Sequence, residues 1–235
     1  MAPFLLQLAS QGVVVITNGA PGAGGAGNFA SFGKSGQSSY KSLLSSIDWV
    51  AKNAGMGKWV HLDSTRIAAA GQSCGGGETY GVANDPRVKV LGIFNSGGMM
   101  GMGGNSNKPA EFKKPIFYFL GGPSDMAYKN VRMCISPSDC SNNGIGKKDI
   151  STLPAGLPAW LGNWAPTGHG GTYNQLNGGV YGVAGSRWVN WVLRVDSVAG
   201  KWFTDNASAQ DEGWTDVESK NLDKFQPLLP PFRWR

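Results

Sequence analysis

Histidine is nearly missing from this chain: it has two, His61 and His169, and neither belongs to an HExxH or CxxC-type pattern. That excludes the usual zinc ligand sets, so no metal and no other cofactor is expected. Cysteine is scarce as well, with three residues, too few for a disulfide-built scaffold. Cys134 and Cys140 share the polar stretch MCISPSDCS; they close a small ring if the protein is exported, or stay as free thiols, and both readings stand open. Cys74 is the odd one out. No apolar run approaches the ~18 residues of a membrane span, so no spanning helix is expected. The start, MAPFLLQLAS, lacks the basic residues that open a signal peptide.

Charge is also thin, at 15% Asp, Glu, Lys and Arg against about 25% in ordinary domains. The net charge is +6, but the basic residues are scattered, with no basic helix and no aromatic–basic repeat. They read as a solvated surface, and no nucleic-acid partner is expected. In their place stand 36 glycines and nine tryptophans among 235 residues. So aromatic a composition is not that of a disordered chain. It suits one strand- and loop-rich domain with a substantial core, read as a monomer.

Phe4, Leu5 and Leu8 make one short apolar helix face. Val13–Ile16 is a continuous β-branched run, as in a strand buried on both faces. Tyr40, Leu43, Leu44, Ile47, Val50, Ala51 and Ala54 recur at helical spacing, with Ser38 or Ser39 as cap. Arg66–Ala70, Val88–Phe94, Ile116–Leu120 and Trp160–Trp164 read as strands, the last of these closing the sheet. Val180, Val183, Ala184, Trp188, Trp191, Val192 and Val195 form a final helical stripe. Strands alternating with helices predict an α/β fold, a mostly parallel sheet covered on both faces. The domain is expected to span residues 1–203, and residues 204–235 to form a polar, then Pro-rich, tail.

Gly71-Gln72-Ser73-Cys74-Gly75 fits the G-x-S-x-G nucleophile elbow, in which serine sits on a tight strand-to-helix turn that flanking side chains would obstruct. In so Gly-rich a chain the pattern alone is weak; its position straight after an apolar strand gives it weight. Gly75, Gly76 and Gly77 would let the following helix approach the sheet. The Cys74 N–H, next after the serine, is the candidate oxyanion donor. A serine nucleophile needs a base, and the base an orienting carboxylate. His61 precedes the strand leading to Ser73 and belongs at the far end of the sheet, which leaves His169, on the loop TGHGG after the last strand. Asp125 follows the strand ending at Leu120 and is the candidate acid. Ser, Asp, His is the chain order that this kind of site uses. Gln72, Met126 and Trp164 lie beside these positions and are candidate substrate contacts, and Lys129–Leu157 is a candidate rim.

The segments LASQGVVVITNG, IAAAGQSCGG, VKVLGIFNSGG, FLGGPSDMAY and GHGGTYNQLNGGVYG together resemble a group of secreted microbial α/β-hydrolases related to dienelactone-hydrolase and polyester-esterase types. The resemblance runs to about Phe203. It implies the α/β-hydrolase fold, a triad of Ser73, Asp125 and His169, an extracellular location, and small-molecule or polymeric ester substrates. Members of the group carry further strands and a Gly-rich oxyanion loop ahead of the segment matching Pro3–Leu8. The chain is therefore expected to be an amino-terminally incomplete form of a longer enzyme, lacking a strand between Val13–Ile16 and Arg66–Ala70. Losing the second oxyanion N–H with that loop would lower the rate by about 10²–10³.

Two other readings compete. Gly22-Ala23-Gly24-Gly25-Ala26-Gly27, with Asp48 further on, formally satisfies a dinucleotide fingerprint, which would make the protein an oxidoreductase. Five residues separate it from Ile16, however, and no helix follows to face a pyrophosphate. Gly33-Lys34-Ser35 lacks the earlier glycine of a P-loop. A scaffold that binds without catalysis, or an inactive relative, is the remaining alternative.

Overall fold

The computed structural model describes residues 1–17, 40–98, 107–128 and 145–228. The Gly22–Gly27 and Gly33–Ser35 motifs, the helix-capping serines 38 and 39, Cys134, Cys140 and residues 129–144 of the candidate rim lie outside them. The described elements are α1 (Ala2–Ala9), α2 (Tyr40–Asn53), β1 (Ile67–Gln72), α3 (Cys74–Gly81), β2 (Val88–Phe94), β3 (Ile116–Leu120), α4 (Ile145–Thr152), β4 (Ala159–Asn163), α5 (Gly179–Arg194), α6 (Ser197–Thr204), α7 (Asn206–Gln210) and β5 (Thr215–Lys220).

The strands form one sheet in the order β1-β2-β3-β4-β5. The first four run parallel and β5 returns antiparallel on β4. Every residue of β3 and β4 is buried, so β3 reads as an unbroken apolar run and β4 as one that ends in the buried Asn163, rather than as alternating strands. Alternate side chains nevertheless serve opposite faces. Val90, Phe94, Phe117, Phe119 and Trp160 pack with Phe4 and Leu8 of α1, Trp188, Trp191 and Val192 of α5, and Trp202 and Phe203 of α6. Leu91, Ile93, Ile116, Tyr118, Leu120 and Leu161 pack with Ile47 of α2, Tyr80 of α3 and Ile150 of α4. Helices therefore cover both faces of the sheet.

The first face is built from rings. Phe94 stacks on Phe119 at 4.4 Å, Trp191 stacks on Phe203 at 5.4 Å, and Trp160 meets Phe203 edge-on at 5.2 Å. Such pairs add about 0.5–1.5 kcal/mol each beyond the area they bury. Glycine makes space for them in the strands: a Cβ on Gly92 of β2 would stand 2.8 Å from the Trp188 ring. Helix α5 ends where Val195 turns left-handed (φ 64°), and Asp196 then caps α6 by accepting from the N–H groups of Val198 and Ala199. Two bonded donors at one helix start are worth about 1 kcal/mol.

The structure departs from the sequence expectations in three places. Val13–Ile16 is no strand. A strand needs a ladder partner, and none of the described strands pairs with it; Val13 and Val15 pack on the aromatic face while Val14 and Ile16 are 48% and 40% exposed. In α5 the buried residues include Tyr181, Ala184, Trp188, Trp191 and Val192, and Val183 points outward. Finally, the sheet does not close at Trp164, and Phe203 is not where the packed structure stops. Residues 206–220 supply α7 and the edge strand β5. The sequence TDVESK hides this strand because an edge strand with charged residues has little apolar signal.

Candidate active site

Because β1–β4 are parallel, their carboxyl ends share one edge, where parallel α/β sheets commonly present ligand-binding residues. Ser73 follows β1, Asn95 follows β2, Asp125 lies five residues past β3, and His169 six past β4. His61 precedes β1.

Ser73 occupies the turn between β1 and α3 with φ 56° and ψ −121°, a strained conformation for a residue bearing a side chain. Backbone and neighbours hold it there. Its N–H donates to Phe94 O at 3.1 Å, its carbonyl accepts from Gly76 N at 3.0 Å, and the Ser96 hydroxyl donates to the same carbonyl at 2.6 Å. The turn closes so tightly that a Cβ on Gly71 would strike the carbonyl of Gly75. Of the glycines after Ser73, Gly76 lies against the Ser96 side chain, while a Cβ on Gly75 would meet open space.

His169 sits in a short 3-10 segment, Ala165–Gly170, interrupted by Gly168 at φ 62° and ψ −158°. Its Nε2 is 2.8 Å from Ser73 Oγ and its Nδ1 is 2.8 Å from Asp125 Oδ1. An ionised carboxylate only accepts, so Nδ1 carries the hydrogen and Nε2 is left to accept the serine proton. The ring is a quarter exposed, whereas Asp125 is fully buried.

Four donors meet the Asp125 carboxylate. Oδ1 accepts from His169 and from Ala127 N at 3.0 Å; Oδ2 accepts from Gly121 N and from the Asn95 amide, both at 2.8 Å. Burial pushes this carboxyl up, but the bonds from His169, Ala127, Asn95 and Gly121 outweigh it and hold the group below the ordinary aspartate range. The Asp125 turn is fastened to β4 as well, since Gly122 N donates to Asn163 Oδ1 at 2.5 Å.

The three side chains singled out from the sequence thus form one hydrogen-bonded line at the carboxyl edge. The remaining candidates take other places. Gln72 donates its amide to the His169 carbonyl at 3.0 Å, steadying the histidine segment from β1. Trp164 leans on Trp214, with centroids 5.9 Å apart, at the margin of the aromatic face. Met126 is half-buried beside Asp125. Cys74, a half-buried free thiol, opens α3, where a backbone N–H has no partner within the helix. Sequence reasoning missed Asn95, Ser96, Tyr173 and Tyr181, which surround this line; the available signal was the polar pair Asn95-Ser96 closing an otherwise apolar strand.

Elsewhere, a cavity of about 460 Å³ opens beside β5, lined by Lys147, Ile150, Leu161, Asp216 and Glu218 among others, and shares no residue with this cluster. Among the described residues no three His, Cys, Asp or Glu side chains are grouped to hold a metal ion, and no helix is long and apolar enough to cross a membrane. In comparisons with known proteins, no family model matches the chain and no curated protein matches it.

Proposed function

We propose that this chain is a serine hydrolase of the α/β-hydrolase type that cleaves carboxylic esters through an acyl-enzyme. The reading rests on the line from Ser73 Oγ through His169 to Asp125, with both links at 2.8 Å. The chain order of the three residues and the sequence resemblance support it further.

His169 Nε2 takes the Ser73 proton as Oγ attacks the ester carbonyl. The carbonyl oxygen becomes an oxyanion, which the Cys74 N–H at the start of α3 stabilises. Collapse of that intermediate expels the alcohol, which takes the proton from His169. Water then attacks the acyl-serine, giving its proton to the same nitrogen, and the carboxylic acid leaves as Ser73 is restored. Asp125 stays ionised throughout, fixing the ring tautomer and stabilising the imidazolium as it forms.

A series of p-nitrophenyl esters of increasing acyl length tests this. A burst of one nitrophenol per chain, lost in Ser73→Ala, is the expected result and would also show which acyl lengths the site accepts. Turnover unaffected by Ser73→Ala would overturn the assignment.

A further inference from the structure

We propose that Asn95 is a positioning residue of this site, clamping Asp125 and the His169 segment into one unit. The inference deepens the hydrolase reading and rests on it for its kinetic consequences.

Asn95 immediately follows β2, is fully buried and has a left-handed backbone (φ 46°), a conformation asparagine tolerates better than most residues. Its Nδ2 lies 2.8 Å from Asp125 Oδ2, 3.2 Å from the Gly168 carbonyl and 3.2 Å from the Tyr181 hydroxyl. One amide nitrogen therefore bridges the acid and the residue just before the histidine. These two loops also touch directly, for a Cβ on Gly121 would strike the Gly168 carbonyl.

The amide has its orientation chosen for it. The Tyr173 hydroxyl donates to Asn95 Oδ1, and the Tyr181 hydroxyl donates onward to Leu120 O at 2.8 Å, leaving its oxygen free to accept. Burial pushes both phenols above their ordinary range, so they stay protonated donors. With Oδ1 engaged by a donor, Nδ2 must face the carboxylate. Gly121 N and Ala127 N also hold Asp125, but both belong to the acid's own turn. Beside the His169 ring itself, Asn95 is the donor that joins the carboxylate to the backbone of the histidine segment. Buried polar networks of this kind fix geometry when every member is satisfied.

Two substitutions separate this role from a merely structural one. Asn95→Gly accepts the left-handed backbone and deletes the amide. With a short p-nitrophenyl ester, kcat should fall by roughly 10²-fold while KM stays within about twofold, as expected when reacting groups are misplaced rather than substrate lost. Asn95→Asp keeps the shape and the acceptor for Tyr173 but sets a second carboxyl against Asp125. Two such groups cannot both ionise; while the pair holds a proton, the new O–H replaces the amide donor, and once it is lost the two repel. The rate of labelling by a fluorophosphonate should then peak at lower pH than in the unsubstituted protein.

A structural role alone would lower the rate and leave the pH profile in place. An unchanged profile in Asn95→Asp, or native kcat in Asn95→Gly, would overturn the proposal. A readout independent of activity keeps it separate from the hydrolase reading. The chain has only two histidines, so the hydrogen-bonded Nδ1 proton of His169 can be assigned by NMR with a His61 variant. Its exchange with water should quicken at least ~10-fold in Asn95→Gly, as expected when a buried hydrogen-bonded unit opens more readily, and unchanged exchange there would overturn the clamp whether or not the protein hydrolyses esters. If the unsubstituted protein is never labelled, the hydrolase reading fails and the proton exchange still decides the role of Asn95.

Discussion

His169 Nδ1 and Asp125 Oδ1 stand 2.8 Å apart across 44 residues of chain, and the carboxylate receives three further hydrogen bonds from its own turn and from Asn95. Asp125→Asn would turn an NH₂ group toward donors that need an acceptor. The ring would lose the partner that sets its tautomer. Ester turnover should drop by about 10⁴-fold, and unfolding in urea should show a loss of about 1–3 kcal/mol from the unpaired donors. Near-native turnover would remove Asp125 from the mechanism.

Gly71 and Gly75 flank the serine but face opposite constraints. A Cβ on Gly71 collides with the Gly75 carbonyl, which is backbone and cannot rotate aside; a Cβ on Gly75 touches nothing within 4 Å. Gly71→Ala should destabilise by about 3 kcal/mol or more, and Gly75→Ala by no more than about 1 kcal/mol. Thermal melts of the two variants check this, and equal melting temperatures would mean that the turn is not closed as described.

Asp149 provides a pH test away from the site. Its Oδ2 accepts from the Tyr80 hydroxyl at 2.6 Å and from Gly98 N at 2.5 Å, while the Tyr118 hydroxyl, 2.9 Å from that of Tyr80, completes the chain as donor. Burial pushes this carboxyl up from 3.8 to about 6, against the lowering effect of the Tyr80 and Gly98 bonds. The folded chain therefore holds a proton that the unfolded chain has released, and stability falls as pH rises through that window. Asn at this position can still accept both bonds but does not ionise. Asp149→Asn should gain on the unsubstituted protein by on the order of 2–3 kcal/mol between pH 4 and pH 7. Asp125 acts in the opposite sense: its lowered value stabilises the fold above the ordinary carboxyl range, a contribution lost as pH falls through its folded value. Identical pH slopes for Asp149→Asn and the parent would contradict the account of Asp149.

How much was legible in the sequence follows from how each element is buried. β2 and β3 begin and end where the apolar runs predict, because strands covered on both faces have few polar positions to blur them, Lys89 being the one charged residue in either. Val13–Ile16 carries the same signal without becoming a strand, since a β-branched run records burial preference but not the presence of a neighbour to pair with. β5 has the neighbour and lacks the signal. Ser73, Asp125 and His169 could be picked out because so few histidines exist and each residue trails a recognisable strand. Asn95 could not, for its importance lies in three acceptors that come from separate parts of the chain.

Covalent capture of Ser73 tests the central claim most directly. A fluorophosphonate should add one adduct per folded chain, located by mass spectrometry on the peptide spanning Gly71–Gly75, and Ser73→Ala should abolish it. An adduct that persists in Ser73→Ala, or a folded parent protein that takes up no probe at all, would contradict the account.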